Sequence, residues 1–410
     1  MASARHVIVA GAGIAGLTAA LALARNGLRV TVFEQATTLE EAGAGIQLSP
    51  NATRVLIDLG LYDLLFPLVI APHAVRVMSG GSGRQIVRIP LADCDPRYGA
   101  PYWTLHRADL QAALLATVKT TLDIELNLGT KVDDFASHTK GVTVQGRHGR
   151  QVVDERGIAL IGADGIWSNV ATKIDRNNKP RFAHRTAWRA LIPADTVPAE
   201  FRTTFVHLWM GPDAHLVHYP VKGGRLINIV AIVNDEWREP GWTAPGSRDE
   251  ILRHFARFTW SDKARDLIAL PEQWQKWALY ERNGPFFGSD DPVTLIGDAA
   301  HPMLPFLGQG AGMAIEDAAV VAHMLGKYRD DPAQALRAYE KARRKRTARA
   351  QKASAKQAGI YGKTGPGALL RNLGMKVLGG ERLRRRYNWL YTWKPPELTV
   401  SNPRHQLPPD

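Results

Sequence analysis

Several stretches of the 410-residue sequence carry residue types and spacings suited to chemistry. The segment from Gly297 to Ala318 reads GDAAHPMLPFLGQGAGMAIEDA. Asp298 closes a short apolar run and suits a sugar-like hydroxyl. Pro302 and Pro305 hold off the start of a helix, because each lacks a donor and restricts its predecessor. Gly308, Gly310 and Gly312 then leave bare backbone N–H groups where an anion or an electron-rich ring edge can dock. Near the N-terminus, Gly11-Ala12-Gly13-Ile14-Ala15-Gly16 is followed by Glu34. Further on, Gly162-Ala163-Asp164-Gly165-Ile166-Trp167-Ser168 places a carboxylate where it can organise loops around a pyrophosphate. Finally, alternation puts His215, Val217 and Tyr219 on one strand face, so His215 and Tyr219 can reach the same ligand.

The elements that must position these groups follow from the pattern. Arg5–Ala10 reads as a buried parallel strand. It enters the glycine turn, then a helix over Leu17–Arg25 stopped by Asn26-Gly27, then a strand over Arg29–Phe33 ending in Glu34. This is a βαβ nucleotide fingerprint in its required context: Gly11 for the turn, Gly13 for close approach of a pyrophosphate, Gly16 for helix packing, Glu34 for ribose hydroxyls. It does not separate NAD from FAD. Gly43–Asn51 is a loop into a helix with Asn51 as a possible cap. Strands near 74–78 and 85–89 flank a glycine turn, and a helix from His106 to about Lys119 carries Arg107, a phosphate or ribose ligand candidate. Segments 122–128, 141–145 and 151–161 read as strands. From Arg185 to Trp277 an antiparallel sheet is expected, with strands at 187–192, 204–210, 214–220 and 226–233, then a helix over Arg248–Arg257. Arg189 lies on the first of these strands and is a candidate carboxylate partner. Helices are expected over Ile315–Tyr328 and Pro332–Lys356, then a tail with loops, a basic turn and the aromatic run from Tyr387 to Trp393.

Composition narrows the field. The length allows two domains and a large core. No apolar run approaches the roughly 20 residues that span a bilayer, and Met1–Arg5 is too short and polar for a signal peptide. Cys94 is the single cysteine, so an intramolecular disulfide and cysteine-rich zinc sites are excluded, and no metal is expected. A cytoplasmic setting is expected. The net charge of +13 is concentrated partly on one helix between Lys341 and Lys356. A basic helix can meet nucleic acid or anionic lipid. It more often forms a solvated face, and no nucleic-acid signature accompanies it, so neither a nucleic-acid partner nor membrane association is expected.

The ordered motifs GAGIAG with Glu34, GADGIWS and GDAAHPMLPFLGQGAGMAIEDA resemble the single-component FAD-dependent aromatic hydroxylases of the p-hydroxybenzoate hydroxylase fold. Within them the chain looks most similar to salicylate hydroxylases, 3-hydroxybenzoate 6-hydroxylase and 6-hydroxynicotinate 3-monooxygenase. The resemblance implies an α/β protein. Its Rossmann-like FAD-binding domain would span 1–72 with 98–180 and 283–360. An antiparallel-sheet substrate domain would span 73–97 with 181–282, and a C-terminal helical tail 361–410. It implies FAD, with NADH or NADPH and O2 as co-substrates, hydroxylation through a flavin C4a-hydroperoxide, a small aromatic hydroxy-carboxylate substrate, and a monomer or homodimer. A quinone precursor or a hydroxypyridine carboxylate is the alternative substrate.

By the same resemblance Gly13, Ala15, Glu34, Gln35, Arg107 and Val132 would hold the ADP half, and Asp298 the ribitol. Backbone at Gly310, Ala311 and Gly312 would face the pyrimidine side of the ring, with Gly45, Ile46 and Gln47 on the other side. Asp164 belongs to a motif implicated in FAD and nicotinamide binding. His215 and Tyr219 match a pair that contacts the substrate phenol, with His215 as base. Gln47 and Pro305 would border the substrate. Ala171 stands where the family carries an arginine, which speaks against nicotinamide docking there. Pro305 and Phe306 replace a polar residue, which speaks against the hydroxybenzoate 6-hydroxylase and hydroxynicotinate readings.

Overall fold

A strand that is covered on both faces must be apolar throughout, and the N-terminal strand His6–Ala10 meets that condition. In the computed structural model it lies at the centre of a five-stranded parallel sheet. The order across that sheet is Val293–Leu295, Ala159–Gly162, His6–Ala10, Arg29–Glu34 and Ile124–Leu128. The structure describes residues 5–39, 44–256, 258–288 and 291–396. Met1, Gly43, the expected helix end at Arg257 and the tail from 397 to Asp410 lie outside the described residues.

The glycine turn behaves as its spacing requires. Gly11 adopts φ 103°, and a Cβ there would press within 2.6 Å of the Ala163 carbonyl oxygen. A Cβ on Gly16 would sit 1.8 Å from the Gly11 carbonyl oxygen. The helix therefore begins at Ile14, with Gly13 as its N-cap, rather than at Leu17.

The second sheet has eight strands. Their order is Thr243–Ser247, Gln273–Glu281, Arg181–Pro193, Leu226–Asn234, Ala214–Val221, Val206–Gly211, Ala74–Ser79 and Gln85–Pro90. The hairpin at 74–90 thus joins the sheet formed by residues 181–281. Register fixes one of its faces. His215 pairs with Ile232, Ile232 with Ala187, and Ala187 with Trp277. Val217, Val230 and Arg189 form the next row, and Tyr219, Asn228 and Leu191 the one after. A three-stranded sheet over 130–157 and the short pair Gly45–Leu48 with Trp103–His106 complete the β structure among the described residues.

Several elements differ from the sequence expectation. Ser49 is the N-cap of the helix Pro50–Asp58, and Asn51 is buried inside it. The helix after the proline loop starts at Gly310 and runs to Lys327, because the glycines enter it instead of preceding it. The next helix, Pro332–Tyr361, is not solely a solvated basic face: Arg343 is buried and Arg346 partly so. The tail forms helices at Gly365–Arg385 and Asn388–Tyr391.

On the opposite face of the large sheet His207 and His218 stack with ring centroids 4.4 Å apart and planes 4° apart. Trp209 Nε1 donates to His218 Nδ1 at 3.2 Å. Burial, helped by Arg76 and Lys263, pushes the His207 imidazole down to about 4. Burial and His207 hold His218 well below the usual histidine range. Both rings are neutral in the folded protein, so protons bind the unfolded chain first. Their contribution is intact above about pH 6.5 and is lost as pH falls toward 4, at roughly 1.4 kcal/mol per unit of pKa depression. His207→Phe keeps the stack and removes one titration. The expected outcome is a shallower loss of denaturant stability than wild type between pH 6.5 and 4, and parallel profiles contradict it.

Candidate functional site

A groove of about 660 Å³ runs between the parallel sheet and the eight-stranded sheet. Gly13, Glu34, Gln35, Arg107, Val132, Asp164, Arg189, Asp298 and Pro305 line it. Residues scattered over most of the sequence therefore meet in one place. A Cβ on Gly13 would have no atom within 4 Å, so the backbone there is open to close approach. Glu34 closes the second strand and is held by its own surroundings: Oε2 accepts from the Ala12 N–H at 2.7 Å and Oε1 from the Ala36 N–H at 2.8 Å. Asp164 accepts from Ser168 Oγ at 2.5 Å and from the Val170 N–H at 3.2 Å. Burial nonetheless pushes its carboxyl above the usual range.

Asp298 is open to water within the groove, yet protein surrounds it on its other sides. That desolvation pushes its carboxyl up, and Arg107, His301 and Arg282 pull it back. The turn that presents it is fixed from behind. Asp317 Oδ2 accepts from the Gly297 N–H at 2.9 Å and pairs with His301 Nε2 at 2.5 Å, while Oδ1 accepts from Arg343 Nε at 2.6 Å. Burial opposes ionisation of Asp317, but His301 and Arg343 hold its carboxyl below the usual range. Glu316 accepts from Arg343 and Arg346 at 2.6 Å and from Asn51 Nδ2 at 2.6 Å.

A second cavity of about 550 Å³ opens on the other side of Pro305, which lines both. Its walls include Gln47, His215, Phe306, Gln309 and Tyr361. His215 lies 5.0 Å from the Phe306 ring and 5.2 Å from the Tyr361 ring. Burial, helped by the Arg185 charge, pushes its imidazole down to about 3, so it is a neutral acceptor with a weak pull on protons. Tyr219 sits behind the wall, beside Gly45, Asn228 and Gln47. Burial keeps its phenol protonated far above neutrality. Tyr102 donates from its hydroxyl to Gln47 Oε1 at 2.9 Å, and the Gly45 N–H donates to Asn228 Oδ1 at 2.7 Å.

The structure separates some residues that the sequence grouped. Arg189 shares a sheet face with His215 but opens into the groove, not into the His215 cavity. Gly45, Ile46, Ala15, Gly310, Ala311 and Gly312 line neither cavity directly. Among these, the space beside Gly310 faces Asp298 Oδ1 at 3.9 Å, whereas Gly312 faces Asn51 and Ala52. Ala15 packs against Gly297. Ala171 is buried, so its side chain does not reach the groove. Sequence reasoning missed Asp317, Glu316, Arg343, Asn228 and Tyr102. Two acids inside an otherwise small and apolar helix, and an asparagine inside the strand LINIVAIV, were the available signals.

Arg343→Leu leaves both acids without their shared cation. Removing one partner of a buried pair typically costs on the order of 3–5 kcal/mol. The expected outcome is a drop of that order in denaturant unfolding free energy. An unchanged unfolding curve contradicts the role given to this network.

Comparison with known proteins places the chain in a family. Residues 4–354 match the family model described as FAD binding domain. The chain is 38% identical over 388 residues to 3-hydroxybenzoate 6-hydroxylase 1 of Aquipseudomonas alcaligenes, covering 94% of this chain and 97% of that protein. It is 37% identical over 389 residues to a 3-amino-4-hydroxybenzoate 2-monooxygenase of Streptomyces platensis, covering 94% and 95%. Among solved structures, a salicylate hydroxylase substrate complex superposes with a TM-score of 0.81 at 26% identity, over 96% of this chain and 97% of that one. Klebsiella pneumoniae HpxO complexed with FAD and uric acid gives a TM-score of 0.80 at 25% identity, over 94% and 96%.

Proposed function

The chain belongs to the FAD binding domain family and is a flavoprotein aromatic-ring monooxygenase, and on that premise we propose that it hydroxylates a small phenolic carboxylate of the hydroxybenzoate class with NAD(P)H and O2. The observation that carries this reading is the meeting of two cavities at Pro305. One is a polar groove with Glu34 and Asp298, and the other an apolar chamber holding His215. The relatives named above act on hydroxybenzoates by their printed names, and one of them is a 3-hydroxybenzoate 6-hydroxylase, the reading that Pro305 and Phe306 were expected to disfavour.

The groove residues fit FAD. Gly13 leaves backbone open for a diphosphate, and Glu34 keeps lone pairs for ribose hydroxyls beyond its two backbone bonds. Gln35, Val132 and Arg107 line the same groove, and Asp164 sets the turn at Gly165. Asp298 offers a water-accessible acceptor for the ribitol, and the helix that starts at Gly310 begins beside it. Bound FAD supplies reduction by the pyridine nucleotide and activation of oxygen into an electrophile.

The chain's own contribution is orientation, dryness and control of one proton. Phe306 and Tyr361 wall the chamber with rings and exclude water. A ring nitrogen of His215 accepts the substrate phenol proton as the ring carbon becomes nucleophilic. Burial disfavours the charged ring, and a substrate carboxylate beside it would stabilise the imidazolium. Gln47, anchored by Tyr102, presents an amide to the substrate, and Tyr219 supports Gln47 and Gly45 from behind.

The purified protein is expected to be yellow, and hydroxybenzoates to stimulate NADH oxidation with oxygen uptake. A panel of hydroxybenzoates and hydroxypyridine carboxylates that produces no stimulation overturns the substrate class. His215→Ala is expected to keep its flavin and oxidise NADH, while hydroxylated product falls about 10²–10⁴-fold. Product formation at the wild-type rate removes His215 from the proton path.

A further inference from the structure

The chamber at His215 has apolar and aromatic walls, yet its lining includes the cations Lys356, Lys363, Arg371 and Arg386 and no aspartate or glutamate. None of these cations pairs with a carboxylate among the described residues. Buried arginines elsewhere are paired: Arg343 with Glu316 and Asp317, and Arg384 with Glu381. Lys356, Lys363 and Arg386 are exposed, whereas Arg371 is partly buried. The helix Gly365–Arg385 turns one face to the chamber through Leu370, Arg371, Gly374, Met375 and Leu378, the spacing of a helical stripe.

Arg371 is fixed on that face. Its Nη1 donates to the carbonyl oxygens of Ile360 and Tyr361 at 3.0 and 2.8 Å, and its Nε donates to Asn372 Oδ1 at 3.0 Å. Its Nη2 has no protein partner among the described residues. Burial pushes the guanidinium below its usual range, and no nearby carboxylate offsets that. Tyr361 connects this cation to the base, since its carbonyl accepts from Arg371 and its ring lies 5.2 Å from the His215 ring. One tyrosine thus links guanidinium to imidazole, much as one benzene ring links carboxylate to hydroxyl in a hydroxybenzoate. Arg189, the cation expected to meet the carboxylate, opens into the groove instead.

We propose that Arg371 binds the substrate carboxylate through Nη2 while the phenol lies at His215, and that the exposed Lys356, Lys363 and Arg386 draw the anion in past this helix. This rests on the hydroxybenzoate reading above and adds the group that recognises the acid. Arg371 stands outside residues 4–354, which match the family model, so the C-terminal tail supplies the recognition. A charge-assisted bond in a chamber poor in water discriminates a carboxylate from a neutral isostere.

The test uses the flavin-loaded enzyme and reads binding of 3-hydroxybenzoate and of uncharged 3-hydroxybenzamide through the flavin absorbance. Arg371→Gln removes the charge but keeps an amide donor for the Ile360 and Tyr361 carbonyls. Lys376→Gln removes the same charge from an exposed site on the same helix that does not line the chamber. The Kd of the acid is expected to rise roughly tenfold or more in Arg371→Gln, the weight of a hydrogen bond to a charged group. It is expected to stay at the wild-type value in Lys376→Gln and to recover in part in Arg371→Lys. Amide binding is expected to be the same in every variant, which a distorted chamber would not allow. Added salt is expected to weaken acid binding more in wild type than in Arg371→Gln. An acid-to-amide ratio that Arg371→Gln leaves unchanged overturns the proposal. An equal loss in Lys376→Gln also overturns it, because the effect then belongs to the general field. Wild-type enzyme is assayed first. Absence of binding and of stimulated NADH oxidation with every hydroxybenzoate refutes the hydroxybenzoate reading itself, whereas normal wild-type behaviour with an unaffected Arg371→Gln refutes this assignment alone.

Discussion

One buried carboxylate, Asp317, fixes the position of the turn between the two cavities. It binds the Gly297 N–H, His301 and Arg343 at once. A carboxylate taken out of water is costly unless its lone pairs are filled and its charge is balanced. Here both conditions are met, and the partners come from the strand end, the proline loop and the long helix Pro332–Tyr361. Glu316 carries the same cluster on to Asn51 in the helix Pro50–Asp58. The turn carrying Asp298 and the loop carrying Pro305 are therefore held from behind by ionic contacts, while their outer faces remain available.

That arrangement lets two environments of opposite character sit side by side. The groove keeps carboxylates and cations in reach of water, and desolvation only partly perturbs them. On the chamber side, burial of His215 and the nearby Arg185 charge lower the imidazole's affinity for protons. A single sheet face spans both, since the rows that begin at His215, Val217 and Tyr219 continue across the strand Leu226–Asn234 to Ala187, Arg189 and Leu191. Oriented dipoles and charges in such a dry site act more strongly than they would in water, and they do so without reorganising during the reaction.

Much of this was legible because glycine and proline constrain the backbone locally. Gly11, Gly13 and Gly16 announced a strand, a turn and a helix, and the contacts that a Cβ would make show why each must be glycine or is free to face the groove. Glu34, Asp164 and Asp298 were found because each follows an apolar run, where a strand ends. Alternation placed His215 and Tyr219 on one face correctly, but it said nothing of what covers that face. The loop at Pro305 and Phe306 divides the surface, and so puts Arg189 and His215 in different cavities. The Asp317–Arg343 pair spans elements distant in sequence. In a linear reading Arg343 is one cation among many on a basic helix. The long helix was expected as far as Lys356, yet Tyr361 at its end, on the His215 chamber, carried no local signal.

The central claim is that one groove grips an adenine dinucleotide and presents its flavin ring to the chamber beyond Pro305. Equilibrium titration of the flavin-free protein tests it most directly, with FAD as ligand and ADP as competitor. The account predicts one FAD per chain, displaced competitively by excess ADP, with FMN binding far more weakly because it lacks the half that Gly13 and Glu34 would hold. Saturable FAD binding that ADP cannot displace, or FMN binding as tightly as FAD, contradicts it.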